Sequence, residues 1–130
     1  MNHQREILVV LSVGMGGFFG AIGRYGVSKF VTDFAGHHLP WGTLTVNAIG
    51  SFLLGFIGNY LLHHMEVSPL LRLAITTGFM GAFTTFSTFS LETIMLVQED
   101  RMAAAGINVL SNVVVCLSLC GIGMYLARAT

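Results

Sequence analysis

The sequence predicts an all-α membrane protein: one membrane domain over 1–130 with four transmembrane helices, the third broken at its centre, paired with an inverted copy of itself. Of the 130 residues, 54% are hydrophobic and only 9% charged, well outside the range of an ordinary soluble domain. The apolar residues gather into four runs, about Ile7 to Tyr25, Thr43 to Leu62, Leu70 to Val97 and Ala103 to Leu126, each long enough to cross a bilayer. With four crossings both termini share a side. Arg5, Arg72 and Arg128 then lie on that side and Arg24, Lys29 and Arg101 on the other. Such a balance leaves the positive-inside rule nothing to read, so insertion in both orientations and an antiparallel, dual-topology homodimer are expected. The plainer alternative is that an exposed arginine outweighs a partly buried one such as Arg24. Net charge is zero, which gives nucleic acid no electrostatic handle.

The first helix, about 7–30, is read as a span rather than a cleaved signal, because no small-residue cleavage pattern accompanies it. Its Gly14, Gly16, Gly17, Gly20 and Gly23 leave one side nearly bare backbone, a surface on which helices associate in lipid by close packing. Arg24 and Tyr25 end this helix. Arg24 reads either as an interfacial anchor or as a cationic collar at the mouth of an anion path. The stretch Thr32 to Gly42, with His37, His38, Pro40 and Trp41, reads as a polar loop.

The second helix, about 43–62, carries Asn47 one turn inside. Its amide needs a partner in a membrane and serves either as interhelical glue or as a donor to an anion. Gly50, Gly55 and Gly58 supply another packing surface.

The third helix, about 70–97, would be roughly 42 Å long if continuous, against about 30 Å of hydrocarbon. Its centre reads TTGFMGAFTTFSTFS, and glycine with β-branched residues makes poor helix. A break near 81–85 is expected, and lipid would force such a break to be buried or to line a polar cavity. A hydroxyl-bonded kink is the milder alternative. Phe79, Phe83, Phe86 and Phe89 form an aromatic stripe interleaved with Ser87, Thr88 and Ser90, and ring edges carry positive potential toward which an anion can rest. Glu92 is expected to pair with Arg24 or to reach water.

The fourth helix, about 103–126, presents Asn108 and Asn112 on one face near Ser111, either gluing helices or lining a path. Cys116 and Cys120 read as small apolar packing residues. No buried Ser/His/Asp set or metal-ligand cluster suggests an enzyme.

The run GFMGAFTTFSTFS from Gly78 to Ser90, with GTLTVN ending at Asn47, Gly-Arg-Tyr at 23–25 and Glu92, resembles the Fluc (CrcB) family of fluoride channels over the whole chain. The resemblance implies an antiparallel homodimer with two pores in the bacterial inner membrane, passing fluoride passively out of the cytoplasm. It implies ring edges of Phe86 and Phe89 and the amide of Asn47 against fluoride, with hydroxyls of Ser87 and Thr88 nearby. Arg24 would sit in the vestibule, Asn108 and Asn112 would continue a polar track, and a structural Na⁺ on the two-fold axis would take the carbonyls of Gly81 and Thr84. Two rival functions remain at this level. A small multidrug-type exporter would need a carboxylate deep in the first helix, where only Glu6 stands at the start. A non-conducting structural subunit would use its glycines for packing alone.

Overall fold

The computed structural model describes residues 2–64 and 66–130. These residues form helices and no strand. Four of the helices are long and apolar enough to cross a membrane: α1 (His3–Ala35), α2 (Trp41–His63), α3 (Pro69–Gln98) and α4 (Met102–Arg128).

α1 runs further than its apolar stretch. Lys29 Nζ donates to Asp33 Oδ2 at 2.6 Å one turn on, an i,i+4 pair of the kind that supports a helix. The helix stops only at Gly36, whose φ of 86° closes its end while its N–H bonds the Thr32 carbonyl at 2.9 Å. Arg24 and Tyr25 therefore lie inside α1 rather than at its end, and Thr32 to Ala35 are helical rather than loop.

The glycine faces set the packing. A Cβ added at Gly20 would stand 3.0 Å from Phe79 Cα, and one at Gly78 would stand 3.1 Å from Gly17 N, so α1 and α3 meet backbone to backbone. α2 and α4 meet likewise, where a Cβ on Gly123 would lie 2.9 Å from Phe56 N. At both contacts the buried helix widens into π-helix, over Leu54–Gly58 in α2 and Ala74–Met80 in α3. Val46, Met80, Phe83 and Phe89 are buried, while Val10, Phe30 and Leu110 are exposed on the flanks.

Within α3, Gly81–Phe83 is helical and Phe86–Gln98 is helical. The two residues between are extended: Thr84 has φ −86° and ψ 158°, and Thr85 has φ −150° and ψ 114°. Thr85 then caps the second half, its Oγ1 accepting the Thr88 N–H at 3.2 Å.

Candidate functional site

The extended pair is clasped by Asn47. The Thr85 N–H donates to Asn47 Oδ1 at 2.8 Å, and Asn47 Nδ2 donates back to the Thr85 carbonyl at 3.1 Å. Its other proton goes to Asn112 Oδ1 at 3.0 Å. A polar chain continues from there: Asn112 Nδ2 donates to Asn108 Oδ1 at 3.1 Å, and Asn108 Nδ2 to Thr93 Oγ1 at 2.9 Å. Thr93 in turn donates to the Phe89 carbonyl at 2.7 Å. Donors and acceptors alternate along the whole line, so each bond polarises the next. Asn47, on α2, is thereby tied both to the extended residues and to the backbone of the second aromatic.

A cavity of about 370 Å³ opens beside this clasp, with Asn47, Thr84, Thr85, Phe86, Phe89 and Asn112 in its lining, and Ser51 and Cys116 further along. The two rings lie with centroids 5.4 Å apart and planes tilted by 53°. Phe89 is buried, whereas Phe86 is 79% exposed on the flank of the helical bundle. Gly50 permits the approach of Thr84, since a Cβ there would also come within 3.2 Å of Phe83 Cδ1.

On the far side of Thr85 lies a second cavity of about 370 Å³, lined by Arg24, Tyr25, Ser28, Lys29, Thr43, Thr88 and Asp33 among others. Thr85 lines both cavities. Arg24, within α1, thus shares this cavity with Thr85.

Other predicted residues fall differently. Ser87 is exposed and lines neither cavity, its Oγ 3.4 Å from Thr85 Oγ1. Thr88 faces the Arg24 cavity, accepting from Thr85 Oγ1 at 2.9 Å. Glu92 does not pair with Arg24: its Oε1 accepts from Thr43 Oγ1 at 2.8 Å, because α2 starts directly opposite that turn of α3. Its Oε2 is buried and has no partner among the described residues. Asn108 is buried against Thr93 and does not reach the Phe86 cavity, whereas Asn112 does. Gly81 is helical, with nothing within 4 Å of where a Cβ would stand.

Thr43 and Thr93 have no role in the sequence reading, and Thr85 enters it only as the end of the expected break. Thr85 had a readable signal, an N-cap threonine one residue before a helical run. Nothing local marks Thr43 or Thr93, whose partners lie on other helices.

Residues 11–124 match the family model described as CrcB-like protein, Camphor Resistance (CrcB). The chain belongs to the CrcB family. Among its relatives is the fluoride-specific ion channel FluC of Syntrophotalea carbinolica, 48% identical over 112 residues, covering 86% of this chain and 91% of the relative. The fluoride-specific ion channel FluC of Geotalea daltonii is 44% identical over 119 residues, covering 92% and 96%. That of Geobacter metallireducens is 39% identical over 122 residues, covering 94% and 98%. The CrcB family is one of ion channels and not of enzymes. With its four apolar helices this member is a multi-pass membrane protein.

Proposed function

We propose that this chain is a fluoride-selective passive channel of the bacterial inner membrane, relieving fluoride toxicity by letting the ion leave the cytoplasm. The observation that carries the reading is the cavity in which the Asn47 amide and the rings of Phe86 and Phe89 share one space. The names of the relatives favour the same ion.

Fluoride is small and tightly hydrated, so a pore selective for it replaces water by hydrogen-bond donors and ring edges, each contact weak enough to release the ion. Arg24 draws the anion into its cavity, where Thr88, whose oxygen already accepts from Thr85, has its own proton to offer. At Asn47 both N–H groups are already engaged, with Thr85 O and Asn112 Oδ1. Fluoride takes one of them in exchange, and the hydrogen bond given up keeps the net binding weak. The positive edges of Phe86 and Phe89 complete the contact.

The working unit in this reading is an antiparallel, dual-topology homodimer with two pores. Phe86 supports it: a large ring left 79% exposed beside polar residues is suited to a partner's path. The break in α3 would lie at mid-bilayer on the two-fold axis, holding a structural Na⁺. The carbonyls fit that group. The Thr85 N–H that would serve the Gly81 carbonyl in a continuous helix goes to Asn47 Oδ1, and the Thr88 N–H that would serve Thr84 goes to Thr85 Oγ1. Gly81 and Thr84 thus offer oxygen ligands suited to a hard cation. Bound there, the ion would supply positive charge that fixes the junction.

Fluoride-electrode recording of liposomes bearing the purified protein tests the function. Efflux of fluoride with no matching chloride efflux is expected, and efflux no faster than from protein-free vesicles overturns it.

A further inference from the structure

A third cavity, of about 360 Å³, lies beyond the Phe86 cavity and is lined by Arg72, Thr76, Asn59, Leu54, Cys120 and Met124 among others. The two adjoin: Leu54 lines both, and Cys116 in one sits one turn from Cys120 in the other. Together with the Arg24 cavity, which shares Thr85, three cavities follow one another from Arg24 to Arg72. An arginine stands at each end of the series.

Arg72 is poorly neutralised. Its Nη2 donates to two backbone carbonyls, of His64 at 3.4 Å and Val67 at 3.5 Å, both long for a charged donor. Its Nε is shut off from solvent and has no partner among the described residues. Among the described residues no carboxylate lines the cavity. A guanidinium is always charged and carries five donors, so taking it out of water without a counter-charge is costly. Arg72 is half-buried: its head reaches the loop carbonyls, as a snorkelling anchor's would, but its Nε stays closed off from solvent with no partner among the described residues. Asn59 adds a buried amide on the cavity wall, with one proton on the Met124 carbonyl at 3.4 Å and a second to give.

We propose that Arg72 and Asn59 form an anion station at the opposite end of the path from Arg24, occupied by fluoride in transit. The station rests on the channel reading above. A lipid phosphate has the same chemistry, but the run of adjoining cavities toward Asn47 favours the permeating ion.

The test is fluoride flux against fluoride concentration for wild type, Arg72→Gln and Arg72→Lys in vesicles of neutral phosphatidylcholine, repeated with anionic phosphatidylglycerol. Loss of a charge-assisted contact raises the half-saturating concentration on the order of tenfold in Arg72→Gln. Arg72→Lys restores most of it, and both lipids give the same answer. A role confined to stapling the loop at His64 and Val67 lowers the yield of folded dimer and leaves half-saturation unmoved, which overturns the proposal. An Arg72→Gln effect seen only with anionic lipid also overturns it, assigning the site to a headgroup. Should Arg72→Gln not purify, Thr76→Asp sets a carboxylate in the cavity while keeping Arg72, and wild-type flux in that variant is equally fatal. Absence of fluoride flux in the wild type instead sinks the channel reading itself.

Discussion

Residues 74–80 of α3 press bare backbone against α1, with Gly16, Gly17 and Gly20 admitting Phe79 and Gly78 to within contact of the main chain. Phe86–Gln98 of the same helix is held quite differently, by hydrogen bonds: Asn47 at its start, Thr43 on Glu92, and the chain of asparagines that ends at Thr93. One half is fixed by shape and the other by polar pairing. In a bilayer, where apolar contact gives helices little reason to associate, close packing supplies rigidity. Polar pairing leaves donors that an ion can borrow. The division places the stiff half and the exchangeable half on either side of Thr84 and Thr85.

The largest break in that comparison comes from filling the dry contact. Gly20→Val puts branched carbon into the Phe79 backbone, where neither helix can yield without moving the other. A loss of about 3 kcal/mol or more is expected, seen as collapse of the monodisperse peak on size exclusion. Gly14→Val is the control on the same helix, with nothing within 4 Å of its Cβ, and should stay within about 0.5 kcal/mol of wild type. Equal damage from both would mean that the contact with Phe79 does not decide the loss.

Next in size is the clasp. Asn47→Ala strands the Thr85 N–H and carbonyl and the Asn112 oxygen together. Each buried group left unpaired costs about 1–3 kcal/mol, part of which water entering the cavity recovers. Thermal unfolding in detergent should show a net loss of about 2 kcal/mol, and fluoride efflux should fall at least tenfold in the folded fraction. A folded variant with wild-type flux would leave Asn47 as glue alone.

Much of this division is legible without coordinates, and the reason is local chemistry. Four apolar runs announce four spans, because lipid imposes length and composition on each segment separately. The glycines of α1 likewise mark a packing face. What cannot be read is whatever depends on a second helix. The extension of α1 to Ala35 is the exception, supported by a local i,i+4 pair of Lys29 and Asp33 within a stretch that reads as loop. Glu92 finds Thr43 rather than Arg24 because α2 begins beside it. Arg72, placed from the sequence only by its side of the membrane, proves to have its Nε closed off from solvent. Ser87 and Thr88, adjacent in sequence, part company by one step of helix, one outward and one into the Arg24 cavity.

The smallest change in stability should come from the residue with the most to say about function. Phe86 and Phe89 stand in the same cavity with rings 5.4 Å apart, but Phe86 is 79% exposed and Phe89 only 9%. Phe89→Ile therefore removes packed ring from the interior and should cost about 1–2 kcal/mol. Phe86→Ile removes almost no packing within the protomer and should cost less than about 0.5 kcal/mol. If ring edges serve the ion, the two variants nevertheless lose fluoride flux alike, since isoleucine has bulk without a positive rim. Unfolding curves and liposome efflux on the same preparations separate the two quantities. A Phe86→Ile variant that conducts like wild type would confine the function to the buried ring. One that unfolds as readily as Phe89→Ile would mean that the second copy of the proposed homodimer packs on the Phe86 ring itself instead of leaving it to face the path.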